Sequence, residues 1–173
     1  MKITKKKSKK YPLKITLSNG IKITVPKQAN FSNEWLRNHG CSLMAEYIAL
    51  QWLGIHKWPI NLLRWHKKHT PEDVKSKVTV KGVDKGIDVL GKGKGTSTYY
   101  STPTAARIST AMKAGNLVIM EQGGPIHSIV LLPDSGKTYM ISYGKVTQVS
   151  VAEIARTATT NKTYRGMIVV KRK

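Results

Sequence analysis

Cysteine occurs once in this chain, at position 41. An intramolecular disulfide is therefore impossible, and a structural zinc site of the multi-cysteine kind is excluded. Acidic residues are scarce as well. Nine Asp and Glu stand against thirty Lys and Arg, a formal charge of +21. No run of 18 apolar residues occurs, so no ordinary transmembrane helix is expected. The first residues, Met1 to Thr4, lead into Lys5-Lys6-Lys7 and then Ser8-Lys9-Lys10 where a secretory signal would need an apolar stretch. The expectation is a cytoplasmic protein as the chain is written, or a secreted one if a signal has been removed. No internal repeat is visible.

What is present suits one folded domain. The chain has 173 residues and an apolar share of 40%, enough for a real hydrophobic core. The expected organisation is a basic flexible tail over 1–10 and a single domain over 11–173, monomeric. The +21 surface should attract polyanions without selecting among nucleic acid, cell-wall polymer and anionic lipid.

Alternation marks the first elements. Leu13-Lys14-Ile15-Thr16-Leu17 and Ile21-Lys22-Ile23-Thr24-Val25 flank Ser18-Asn19-Gly20, the pattern of a β-hairpin. A polar connection over 27–40 follows. From Cys41 or Ser42 to Leu53, apolar residues recur at helical spacing, with Gly54 at the C-terminal cap. Pro59 opens a second helix to residue 69, and Thr70-Pro71-Glu72-Asp73 suggests the start of a short third. The segment 77–102 is less legible. Val78-Thr79-Val80 suggests a strand and Gly91 to Gly95 a flexible loop. A helix from about Thr102 to Ala114, strands over 116–121, 126–132 and 138–142, a helix near 150–158 and a last strand over 166–170 complete the reading. Helices first and antiparallel strands later make the fold class α+β.

The chemistry-bearing candidates are Cys41 and His127. A thiol at a helix N-terminus gains from unpaired backbone N–H groups and the helix dipole, and a neighbouring imidazolium stabilises its thiolate further. Cys41 stands where its helix begins, after Gly40. His127 stands 86 residues later, at the head of a strand after Gly123-Gly124-Pro125. Only the fold can bring the two together. The other reading of a lone cysteine is a small buried hydrophobe.

An ordered set of features resembles the C39-like peptidases of the papain-like superfamily. The chain has Val25-Pro26 followed by Gln28, then Trp35, then Gly40-Cys41 opening a helix that Gly54 closes. Later come Lys113-Ala114-Gly115, the apolar run Leu117 to Met120, Gly123-Gly124 and His127-Ser128-Ile129-Val130-Leu131. The resemblance spans about 25–170 and implies a papain-like fold, with N-terminal helices carrying the cysteine packed on an antiparallel sheet carrying the histidine. It implies a cysteine peptidase or related acyl-transfer enzyme acting on a peptide or amide bond. It also favours Gln28 as the side-chain donor to an oxyanion, with Asn33 and Asn38 as alternatives. Two positions depart from the family. Ser42-Leu43 replace the usual Gly-Pro after the cysteine. The residue expected to orient the histidine, Asp or Asn in the family, is Ser142 here. Asp134, the nearby carboxylate, falls in the hairpin turn at the wrong end of the strand.

Other signals carry less. Gly86 to Lys92 resembles a phosphate-binding loop but has Gly93 where Ser or Thr is required. His66 and His69 at a helical spacing suggest either metal ligands or an exposed basic helix. Trp52, Trp58 and Trp65 suit a core or cleft wall better than a base-stacking platform. No cofactor and no metal is called for. The alternative function is a papain-like binding module, catalytically weakened, for an anionic partner such as nucleic acid or a cell-wall polymer.

Overall fold

The computed structural model describes residues 1–74, 76–122, 127–160 and 164–173. Two antiparallel sheets and six helices make an α+β fold. The expected hairpin is β2 (Leu13–Thr16) and β3 (Lys22–Val25), with Gly20 in the left-handed conformation its turn needs. The expected flexible tail is different: Lys2–Lys5 forms β1 and pairs antiparallel with β2. Its alternation of Lys and Thr with Ile3 is short, and the basic run after it masks it. Ile15, Ile23 and Val25 turn one face of this sheet into the core.

Two helices meet end to end before the main sheet. Asn33 caps α1 (Glu34–His39) by accepting from the Leu36 N–H, and Gly40 separates α1 from α2 (Cys41–Trp52). A Cβ at Gly40 would lie 2.4 Å from the Leu36 carbonyl oxygen, so this joint is tight. The whole of α2 is buried. Its Gln51 side chain pairs with both backbone groups of Thr24 and so seals the free edge of β3. Next, α3 (Pro59–His69) has its proline at the first turn.

Two expectations fail in the middle of the chain. Pro71–Asp73 is a single 3₁₀ turn rather than the start of a helix. Val78-Thr79-Val80 is not a strand. Val78 makes one isolated bridge to Val74, and Thr79 instead caps α4 (Val80–Leu90) by accepting from the Gly82 N–H. Gly86 therefore sits within a helix, which removes the phosphate-loop reading. The turn at Gly91 to Lys94 leads into β4 (Gly95–Tyr100).

The remaining elements are α5 (Ala105–Lys113), β5 (Leu117–Gln122), β6 (His127–Asp134), β7 (Lys137–Ser142), β8 (Lys145–Val149), α6 (Val151–Thr160) and β9 (Tyr164–Arg172). The large sheet runs β4-β9-β5-β6-β7-β8, antiparallel throughout. Both of its faces are covered, which explains why β5, β6 and β9 read as continuous apolar runs. Leu117, Ile119, Val130, Leu132, Ile168 and Val170 join α2 and the small sheet in one core. Val118, Met120, Ile129, Leu131, Met167 and Val169 join α5 and α6 in another.

Candidate active site

Four of the side chains singled out from the sequence line one small cavity: Gln28, Cys41, His127 and Ser142. Its volume is about 30 Å³, room for roughly one water molecule. The fold positions each in turn. Cys41 is the first residue of α2 and is buried. Because α2 packs on β6, the start of this helix lies at the start of β6, where His127 stands. Gln28, two residues after Pro26, lines the cavity together with that proline. Ser142 ends β7, the partner strand of β6.

His127 is 6% exposed and its Nε2 lies 3.0 Å from Ser142 Oγ. Burial holds the imidazole below its ordinary range, since the charged form loses hydration. The Gln28 amide donates one N–H to the Arg37 carbonyl at 3.1 Å, which fixes the side chain against the end of α1. Cys41 Sγ lies 3.9 Å from Ser42 Oγ, so the residue in the family's Gly position is a polar neighbour of the sulfur. The alternatives to Gln28 stand elsewhere: Asn33 caps α1, and Asn38 is exposed and does not line the cavity. Asp134 is at the far end of β6. There it accepts from the Ser18 N–H and hydroxyl and pairs with the Met1 ammonium. Burial alone would raise its carboxyl, but these donors hold it below the usual range.

The sequence also suggested Gly124-Pro125 and the loop near 91–101 as the two sides of a substrate cleft. Gly124 and Pro125 lie outside the described residues, and none of residues 91–101 lines the cavity. The wall is instead the turn from β7 to β8. Tyr143 stacks flat on His127, with ring centroids 3.7 Å apart and planes 2° from parallel. It does so from a left-handed backbone, φ 50°, followed by Gly144 at φ 74°. Gly144 packs on Lys27, where a Cβ would come within 2.9 Å of the lysine side chain. This turn therefore joins the histidine side of the site to the Gln28 side.

The sequence reading also missed Lys77. It pairs with Glu121, whose strand position is one before Gln122, the partner of His127. Burial pushes the Lys77 ammonium down; Cys41, within electrostatic reach, opposes this, and Arg165 adds to it. Nothing local in the sequence singles out Lys77. For Tyr143 the usable signal was its place directly after Ser142 and before a glycine.

A second histidine is still more deeply buried and closed off. His66, expected on an exposed basic helix, is wholly buried. Its Nε2 lies 2.7 Å from Glu46 Oε2 and its Nδ1 2.9 Å from Thr70 Oγ1, so both ring nitrogens have protein partners. His69 instead stacks on Trp65. Of the tryptophans, Trp52 is in the core and Trp58 lies half-exposed against Tyr47. A larger cavity, about 770 Å³, lies at the opposite end of β6, beside Trp52, Met112 and Pro133. Its lining has no cysteine and no histidine; Cys41 and His127 both line the small cavity instead. No helix among the described residues is long and apolar enough to cross a membrane. Neither a protein-family model nor a curated protein matches this chain.

Proposed function

We propose that the chain is a papain-like thiol enzyme that cleaves or transfers at a peptide or amide bond, most simply a cysteine peptidase. One observation carries this reading: Cys41, His127, Ser142 and Gln28, far apart in sequence, line a single cavity at the start of a buried helix. A helix carrying the cysteine against an antiparallel sheet carrying the histidine also supports the papain-like assignment.

The roles on this reading rest on the cavity these side chains share. Ser142 Oγ accepts from Nε2–H of His127, which leaves Nδ1 to take the thiol proton from Cys41. The thiolate, at the N-terminus of α2, attacks the substrate carbonyl carbon. The oxyanion that forms is held by the Cys41 backbone N–H and the second N–H of the Gln28 amide. Nδ1–H of His127 then protonates the leaving amine, and a thioester remains on Cys41. Water, deprotonated by His127, hydrolyses the thioester and restores the thiol. Ser142 orients the ring and takes no proton, so a hydroxyl can serve where relatives of this fold carry a carboxylate or amide. Tyr143 covers the ring face and keeps bulk water from that side of the His127–Ser142 bond.

The test is cleavage of a diverse peptide mixture by the intact chain, with the acyl-enzyme trapped by acid quench and located by mass spectrometry. An adduct on Cys41 and loss of cleavage in Cys41→Ala support the assignment. Cleavage that survives in Cys41→Ala would reject it.

A further inference from the structure

The thirty basic residues are not spread evenly. Residues 1–33 contain nine lysines and no acidic residue; the first carboxylate in the chain is Glu34. These residues build the small sheet, and its register sorts them. Ile3, Ile15 and Ile23 are paired across β1, β2 and β3 and mark one face. Ile15 and Ile23 are fully buried, so that face is the inner one. Because side chains alternate along a strand, the other face carries Lys2, Thr16 and Lys22 in one row and Thr4, Lys14 and Thr24 in the next. The Lys6 N–H donates to the Pro12 carbonyl and so continues the ladder, adding Lys6 to that face. Lys2, Lys6 and Lys22 are exposed and Lys14 is half-buried. The carboxylate that touches this sheet, Asp134, is already paired with the Met1 ammonium and Ser18.

We infer that this outer face is a docking surface for the phosphate backbone of double-stranded nucleic acid, bound without regard to sequence. Lysine ammonium groups and threonine hydroxyls both donate to phosphate oxygens. With strands roughly 4.8 Å apart and about 6.7 Å per two residues, the Lys2, Lys14 and Lys22 backbones stand roughly 8–10 Å from one another. They can therefore engage separate phosphates rather than one. The rows hold no aromatic residue on which an unpaired base could stack. They hold no apolar side chain to enter a lipid layer. The surface is independent of Cys41 and His127, so it stands or falls apart from the thiol chemistry.

The experiment is a salt titration of binding between the full chain and a mixed-sequence DNA duplex, run beside vesicles of phosphatidylglycerol and phosphatidylcholine. Three proteins are compared: the wild type, Lys2→Gln/Lys14→Gln/Lys22→Gln, and the equal-charge control Lys67→Gln/Lys68→Gln/Lys92→Gln, whose lysines are exposed elsewhere. At about 0.9 per phosphate contact, the sheet variant should lose roughly 2.7 units of log–log salt slope and the control less than about one. If the sheet variant folds poorly by thermal melt, Lys6→Gln/Lys22→Gln replaces it, with an expected loss of roughly 1.8 units. Equal losses in sheet variant and control would mean that the charge acts diffusely, and would overturn the proposal. So would binding to vesicles but not to the duplex, no duplex binding at all, or a strong preference for one DNA sequence. Cys41→Ala should bind as the wild type does.

Discussion

His127 and His66 are both buried, and each lies close to a hydroxyl group, yet the structure fits them for different tasks. His66 has a carboxylate, Glu46, on one nitrogen and Thr70 on the other, with Gly86 of α4 closing over the pair. His127 has a hydroxyl on Nε2, a cavity beside it and, among the described residues, no charge partner as strong. Both pairs draw on α2, which supplies Cys41 at its start and Glu46 little more than a turn later. A strong partner and complete enclosure make His66 a fastening between α2 and α3. A weak partner and a cavity shared with a thiol leave His127 able to exchange a proton. On the proposed reading, access and a nitrogen with no partner among the described residues, rather than the strength of the hydrogen bonds, set His127 apart.

The largest expected effect lies on the sealed side. His66→Ala removes one member of a buried pair and strands Glu46 without its partner, at a cost of about 3–5 kcal/mol. His127→Ala should cost less than about 1.5 kcal/mol, the net worth of one ordinary hydrogen bond. Urea melts of both variants measure the contrast. Equal losses would erase the distinction.

Gly86→Ala sharpens the same point. In an exposed helix this change would gain up to about 1 kcal/mol. Here the new Cβ would fall 2.2 Å from Glu46 Oε1 and 3.0 Å from the His66 ring. The variant should instead lose about 1–3 kcal/mol in a thermal melt. A gain would show that the Glu46–His66 pair has slack.

The two pairs also differ in the sign of their pH response. Burial lowers His127, so between about pH 6.5 and its folded value the unfolded chain holds the proton and the folded chain does not. The His127 contribution is present above about pH 6.5 and is lost as pH falls. Burial raises the Glu46 carboxyl, with His66 opposing. The folded chain then keeps a proton that the unfolded chain has released, and that contribution is present at low pH and lost as pH rises. Stability curves of His127→Phe and Glu46→Gln should flatten on the acid side and on the rising side respectively. A Glu46→Gln curve that changes only on the acid side would contradict the assignment.

The smallest effect belongs to Ser142. Its loss in Ser142→Ala should slow Cys41 alkylation roughly two- to tenfold, the range of one neutral hydrogen bond. Ser142→Asp should restore or exceed the wild-type rate, because a carboxylate favours the imidazolium. Faster alkylation of the Ser142→Ala variant would remove Ser142 from the site.

The elements that were legible in the sequence share a local signal. The hairpin over 13–25 had strict alternation and a turn, α2 had helical spacing, and β5 and β6 had apolar runs. The hidden parts depended on distant partners. Gly82 and Gly86 weaken the helix signal of α4. Both are glycines because Asp73 and Glu46 press against them, with Cβ clearances of 2.8 and 2.2 Å. His66 read as part of an exposed basic helix because Glu46, its buried partner, lies 20 residues away on another helix. The strand β8 was missed because its turn begins with Tyr143, a residue that seldom takes a left-handed backbone. Cys41, His127, Gln28 and Ser142 were singled out by motif and order, while Lys77 had no signal without the fold and Tyr143 had only its place between Ser142 and a glycine.

On the proposed reading His127 acts on Cys41, and the pH profile of alkylation tests this without a substrate. Iodoacetamide should modify Cys41 in the folded wild type at mildly acidic pH, where an ordinary thiol is almost wholly protonated. His127→Ala should lose that acid-range reaction, while His66→Ala, measured under conditions where it remains folded, should keep it. If wild type reacts only above about pH 8 and His127→Ala leaves the profile unchanged, the thiol and the imidazole are neighbours without a shared chemistry, and the enzyme reading fails.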